Sequence, residues 1–105
     1  MEVKYYSTPI KGDPNHVYEH ALVNGDIEFV KFPYQNYEAS NGNRGATVCR
    51  AIAPTEGWTA LIRKSFANGS SEHVATDTFE EKDRAFIWAY EQIRHYEEMG
   101  NAPNN

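Results

Sequence analysis

The chain has 105 residues, of which 40% are hydrophobic and 13% aromatic, and its formal net charge at pH 7 is −5. This length and apolar content fit one folded domain with a single core and argue against a disordered chain. The one cysteine, Cys49, excludes an internal disulfide framework and a metal site made of cysteines alone.

The first half of the chain carries strand patterns interrupted by a long loop. Residues 2–6 are predicted to form a short first strand, and residues 16–32 are typical of a hairpin. Asn24-Gly25 predicts the hairpin turn, because a type I′ turn needs positive φ at both central positions. Both faces of the hairpin are apolar, which indicates a helix on one face and partial cover on the other. Residues 33–45, rich in Gly and Asn, are predicted to be a loop.

Three more strands are predicted before the end of the chain. Residues 46–53 and 59–66 alternate apolar and polar side chains and are separated by turn residues at 54–57. After a second loop at 67–71, residues 72–79 have the composition of a further strand.

A long helix is predicted over residues 79–99. Thr78-Phe79-Glu80-Glu81 matches a capping box at its start, and Gly100 suits the left-handed residue that follows a helix. One apolar arc follows the helical period, made of Phe79, Ala85, Phe86, Ala89, Tyr90, Ile93 and Tyr96.

The fold class predicted from these elements is α+β. An antiparallel sheet of four to six strands packs against one long C-terminal helix. Residues 1–99 form a single domain, and residues 100–105 are predicted to be a flexible tail.

Residue types that could carry catalysis or bind a metal ion are present but scattered. His16 and His20 have helical ligand spacing, yet they fall on a predicted strand, where residues four apart lie about 13 Å from each other. Cys49 lies between apolar neighbours, which favours a buried structural thiol over a nucleophile. The sequence contains no phosphate-binding glycine loop and no nucleophile elbow. We therefore expect no enzyme activity, no metal site and no cofactor.

The second half of the chain resembles a known DNA-binding domain. Residues 46–99 run strand, strand, strand, helix, with Trp58-Thr59-Ala60-Leu61-Ile62-Arg63 on one strand and Ala85-Phe86-Ile87-Trp88-Ala89 on the helix after Thr78-Phe79. This order resembles the arm-type DNA-binding domain of phage integrases and its plant relatives. The resemblance implies a sheet that lies in the major groove, with Arg50, Arg63 and Lys64 as the nucleic-acid-binding residues.

The charge balance favours another partner. The sheet of that family carries many basic residues, whereas only these three stand here, and both halves of the chain are acidic. Arg63 and Lys64 can also be explained without a ligand, as two solvated cations at the end of a strand. A continuous positive stripe of Arg44, Arg50, Arg63 and Lys64, clear of carboxylates, would contradict the preference for a protein partner.

A surface for a protein partner is predicted at the edge of the helix's apolar arc. Trp88 and Met99 fall there, and Trp88 is either half-buried packing or an anchor for a partner. With Glu91, Glu97 and Glu98, this edge suits a basic partner surface.

Three classes of function follow from these observations. As a small, acidic, single-domain chain, the protein is similar to phage or mobile-element antagonists, including anti-CRISPR proteins. The similarity implies an inhibitor that covers the nucleic-acid-binding surface of a host protein. Because the sequence shows no signal-like start and no apolar run of about 18 residues, we expect a cytoplasmic protein without membrane contact. The alternatives are a DNA-binding module with a local basic patch and an enzyme of unrecognised type.

Overall fold

The computed structural model describes residues 1–51 and 56–101, with side chains as far as Tyr96. This part of the chain forms one antiparallel sheet of seven strands, arranged in chain order, followed by one helix. The strands are β1 (Val3–Ile10), β2 (Asp13–Val23), β3 (Ile27–Lys31), β4 (Tyr37–Asn41), β5 (Arg44–Arg50), β6 (Trp58–Ser65) and β7 (Ser71–Phe79), and the helix is α1 (Lys82–Asn101). The predicted α+β class and the antiparallel sheet are confirmed.

The predicted strand number of four to six is wrong, because β4 forms inside the segment predicted to be a loop. Tyr37 and Ala39 are buried while Glu38 and Ser40 are exposed, so this five-residue strand has the strand period. Asn41 pairs with Arg44 across a tight turn in which Gly42 has φ 63°. Pairing with β3 and β5 stabilises this strand, which is too short for its hydrophobic alternation to be recognised in the sequence.

Local turn chemistry placed the first hairpin correctly. Asn24 and Gly25 have φ of 56° and 61°, as a type I′ turn requires, and Val23 pairs with Ile27 across it. Upstream, β1 reaches Ile10, beyond the predicted end at residue 6. The turn predicted at residues 54–57 lies largely outside the described residues, as does most of the tail at 100–105.

The predicted capping box is wrong, and α1 begins at Lys82 instead of residue 79. Thr78 and Phe79 belong to β7, where they pair with Thr59 and Trp58. Pairing with β6 keeps both residues in the sheet, so tertiary contacts outweigh the local preference for a helix start. At its other end α1 extends to Asn101, past the predicted end at residue 99.

The core lies between one face of the sheet and α1. The predicted apolar arc is confirmed on α1, where Ala85, Phe86, Ala89 and Ile93 are fully buried, but Phe79, also predicted to belong to it, lies on β7. Phe86 is at the centre of this core, with the rings of Tyr5, Phe29 and Tyr37 at centroid distances of 5.9, 5.1 and 4.9 Å. The opposite face, called here the helix-free face, carries the side chains that alternate with these.

A polar clamp ties the first hairpin turn to α1. One carboxylate oxygen of Asp26 accepts hydrogen bonds from Tyr90 Oη at 2.7 Å and from Arg94 Nε and Nη2 at 3.0 and 2.5 Å. Asn24 Nδ2 donates to the same Tyr90 hydroxyl at 3.2 Å. The clamp fixes the turn over the second half of the helix.

The clamp makes stability depend on pH at the acidic end of the range. Hydrogen bonds from Arg94 and then Tyr90 lower the pKa of Asp26, and a hydrogen bond from Tyr6 lowers the pKa of Glu28. A folded-state pKa below the unfolded value, about 4, gives stability that is present above that value and is lost as pH falls through the folded pKa. We expect the melting temperature to drop below about pH 4, and Asp26→Asn to show a shallower drop in the same circular-dichroism series. An unchanged pH dependence in Asp26→Asn would show that the clamp carries none of it.

Candidate functional site

The strongest candidate surface is an acidic edge, defined here as Asp77 on β7, Glu80 and Glu81 before α1, and Glu91 on α1, around Trp88. All four carboxylates are exposed. Within residues 1–51 and 56–96, no Lys, Arg or His nitrogen lies within 4 Å of their oxygens as an ion pair. Arg84, also exposed, lines a shallow hollow of about 300 Å³ with Phe79, Glu80 and Glu81. The edge therefore presents more negative than positive charge to solvent.

Trp88 supplies the apolar centre of the acidic edge. Its ring is half-buried and packs on Phe79 of β7 with 5.8 Å between centroids and a tilted geometry. Glu91 lies one turn further along the same side of the helix and is exposed. Of the predicted protein-binding residues, the structure thus brings Trp88 and Glu91 together. The side chains of Glu97, Glu98 and Met99 lie outside the described residues.

The predicted nucleic-acid-binding residues do not share one face of the sheet. Arg50 follows the helix-facing alternation of Ala46 and Val48, whereas Arg63 lies on the helix-free face beside Gly45. Lys64 is next to Arg63 in the strand and so alternates to the other side. Among the described residues of β5, β6 and β7, Arg63 is the one Lys or Arg on the helix-free face.

Of these three cations, Arg63 is the one with a carboxylate partner among the described residues. Arg63 Nη2 lies 3.2 Å from Glu38 Oε2, and Arg63 Nη1 donates to Thr47 Oγ1 at 2.5 Å. The other two and Arg44 lie over aromatic rings at 5.2 to 5.5 Å, with Arg44 over Tyr96, Arg50 over Trp58 and Lys64 over Phe66. The continuous positive stripe that would favour phosphate binding is not formed by Arg44, Arg50, Arg63 and Lys64.

A cleft of about 560 Å³ opens on the helix-free face, and sequence reasoning missed it. Its charged groups are those of Glu28, Glu38, Arg44 and Arg63. Glu28 accepts from Tyr6 Oη at 2.6 Å and contacts His20 Nδ1 at 2.5 Å, while His20 stacks on the Tyr6 ring at 4.4 Å. The alternation within each strand places Tyr6, His20 and Glu28 on one face. Their proximity could be predicted only if the register between the strands were known.

Both glutamates of this cleft and Arg63 are paired with neighbouring side chains. Glu28 has a lowered pKa because Tyr6 and His20 hydrogen-bond to it, so it is a carboxylate and not a proton donor at neutral pH. Glu38 accepts from Thr47 at 2.5 Å and pairs with Arg63. These pairs order the helix-free face. Arg44, which also lines the cleft, lies over the Tyr96 ring, and its Nε and Nη1 are buried with no hydrogen-bond partner among the described residues.

The remaining candidates for chemistry have structural partners. His16 contacts Asp13 at 2.8 Å and the Tyr34 hydroxyl at 2.9 Å, on the strand predicted for it. Cys49 is half-buried, and burial, followed by the charge of Glu38, raises the pKa of its thiol. Across the described residues, no three His, Cys, Asp or Glu side chains group closely enough to hold a metal ion.

Comparison with known proteins finds no matching family model, no matching curated protein and no matching solved structure. The likeness to integrase arm domains and to phage antagonists therefore stays a prediction. In the described part of the chain, no helix has the length and apolar character needed to cross a membrane.

Proposed function

We propose that the protein acts by binding and not by catalysis, and that its acidic edge docks on a basic surface of a protein partner. In the specific form of this proposal, the chain is an inhibitor of phage or mobile-element origin, similar to anti-CRISPR proteins, and works in the cytoplasm. It covers the surface with which a host protein binds nucleic acid.

The observation that carries the proposal is the contrast between carboxylates and cations. The carboxylates of the acidic edge have no ion pair among the described residues, whereas Arg63 is paired and Arg44, Arg50 and Lys64 lie over rings. Surface carboxylates attract a basic partner over about one Debye length, roughly 8 Å at physiological salt. The free charge of this surface therefore selects for Lys and Arg on the partner.

Trp88 provides the contact energy that charge alone does not. Rim charges mainly set the association rate and specificity, while buried aromatic side chains carry most of the binding energy of typical interfaces. The half-buried Trp88–Phe79 pair offers such a centre, with Glu80 and Glu81 directly after Phe79 in the chain and Glu91 one helical turn after Trp88. A partner surface that binds phosphates is rich in Arg, which pairs with carboxylates and also stacks on indole rings.

Reversing charge on the acidic edge is expected to abolish capture of the partner. Glu81→Lys combined with Glu91→Lys should reduce the amount of partner recovered from bacterial lysate by about 10-fold or more, because two attractions become repulsions. Quantitative mass spectrometry of the affinity-purified material measures this.

The matched control changes the same charge elsewhere. Glu2→Lys combined with Glu72→Lys alters two exposed carboxylates away from Trp88 and should leave capture within about 2-fold of the parent. Equal loss in both double variants would show that net charge, and not the acidic edge, governs binding. A DNA duplex retarded at low salt by the parent but not by Arg63→Ala would favour the DNA-binding alternative.

A further inference from the structure

A small pocket lies where the ends of β3 and β4 meet those of β5 and β6, away from the acidic edge. Its volume is about 270 Å³. The polar and aromatic residues around it are Lys31, Gln35, Asn36, Tyr37, Arg50 and Trp58. The rest of the lining is Val48 and Cys49, so no carboxylate contributes to the wall. In a chain of net charge −5, this is a local inversion of charge.

Arg50 lies at this pocket, and within residues 1–51 and 56–96 no side chain accepts a hydrogen bond from its guanidinium. Its guanidinium carbon lies 5.2 Å from the centroid of the Trp58 ring, and the two residues are direct partners across β5 and β6. Within the described residues it has no carboxylate as an ion-pair partner, although its side chain is exposed. Stacking orients the guanidinium, so less freedom is lost when its N–H groups bind an anion.

Two lysines raise the positive potential beside the same rings. Lys82 Nζ lies 3.3 Å from the Tyr37 hydroxyl and 5.2 Å from the Trp58 ring centroid. Lys31 Nζ, which lines the pocket, lies 3.3 Å from Glu19 Oε2. Lys31 is paired with Glu19, whereas neither Arg50 nor Lys82 forms an ion pair among the described residues.

We propose that this pocket binds a small anion of the aromatic carboxylate class, with the carboxylate on Arg50 and the flat ring against Trp58. The guanidinium matches a carboxylate in a two-point geometry, and the side-chain amides of Gln35 and Asn36 are further donors at the wall. The pocket volume falls just below the usual range of about 300–1,000 Å³ for ligand sites, which limits the ligand to about one ring. This inference is independent of the acidic edge.

Benzoate and benzamide are the probes, since they share a shape and differ in charge. In a ¹H–¹⁵N NMR titration of the whole protein, benzoate should shift the Trp58 indole signal and the signals of Arg50, Gln35 and Asn36. Benzoate should bind about 10-fold more tightly than benzamide, because a charge-assisted pair replaces a neutral one.

Substitution of Arg50 separates this site from a generic apolar pocket. Arg50→Gln should weaken benzoate binding about 10-fold and leave benzamide binding unchanged, whereas Arg84→Gln, which removes an exposed arginine from α1, should bind both like the parent. Equal affinity for the two probes, benzoate shifts that map elsewhere or are absent, or unchanged benzoate binding in Arg50→Gln would each overturn the proposal. None of these results bears on partner capture by the acidic edge.

Discussion

Replacing Phe86 with alanine is expected to lower the free energy of unfolding by about 3–5 kcal/mol, enough to remove much of the stability of a chain this size. Phe86 is fully buried, and the rings of Tyr5, Phe29 and Tyr37 meet it edge to face. These rings come from three different strands, so the cavity left by the substitution cannot close without moving the sheet. Urea unfolding followed by circular dichroism measures the change.

The matched control is the same substitution on an exposed ring. Phe66 lies beyond the end of β6, is 40% exposed and contacts Lys64. Phe66→Ala should cost no more than about 1 kcal/mol, since little apolar area is lost with it. If both variants lost the same stability, Phe86 would not be the centre of the core.

Gly57→Ala is expected to cost about 3 kcal/mol or more, from backbone strain and overlap together. Gly57 has φ 124°, a conformation that residues with a Cβ rarely adopt. An added Cβ would overlap the carbonyl oxygen of Phe79, at the junction between β7 and α1. Because that atom belongs to the backbone, relief requires β7 to move.

Gly69→Ala isolates the contribution of strain from that of overlap. Gly69 also has positive φ, at 88°, but nothing lies within 4 Å of an added Cβ. We expect Gly69→Ala to cost only about 1–2 kcal/mol in the same urea series. Equal losses in the two variants would mean that the contact with Phe79 has no energetic weight.

Much of the fold could be predicted because its signals are local. The Asn24-Gly25 turn and the apolar arc through Phe86 and Ile93 depend on residues close in sequence. Strand β4 could not be predicted from local patterns, since five residues within a Gly- and Asn-rich segment are too few to show a strand-like alternation. The helix start predicted from the Thr78 capping box was wrong for a different reason. The local sequence favours a helix there, but Thr78 pairs with Thr59 on β6 and stays in the sheet.

The sites were less accessible to sequence reasoning than the fold. A helical wheel places Trp88 and Glu91 on one side of α1, and the structure agrees. The clamp of Asp26 on Arg94 and the pairing of Arg63 with Glu38 join residues far apart in sequence, and they depend on strand register and helix docking. The stack of Arg50 on Trp58 likewise follows from their pairing across two strands.

The sheet also has more strands than the three-stranded sheet that the integrase resemblance implies. Four strands, β1 to β4, extend the sheet beyond β5, and they bring Glu28 and Glu38 to the cleft that Arg63 lines. A carboxylate beside Arg63 opposes phosphate binding there. This charge arrangement supports the proposal of a protein partner over that of DNA.

Affinity purification of the parent chain from nuclease-treated bacterial lysate shows whether the protein binds a protein partner without the help of nucleic acid. Mass spectrometry of the eluate should show one stoichiometric protein partner with a basic surface, and the complex should dissociate as salt is raised, since exposed charges are screened. Recovery that depends on intact nucleic acid, or an eluate without any stoichiometric protein, would contradict the account.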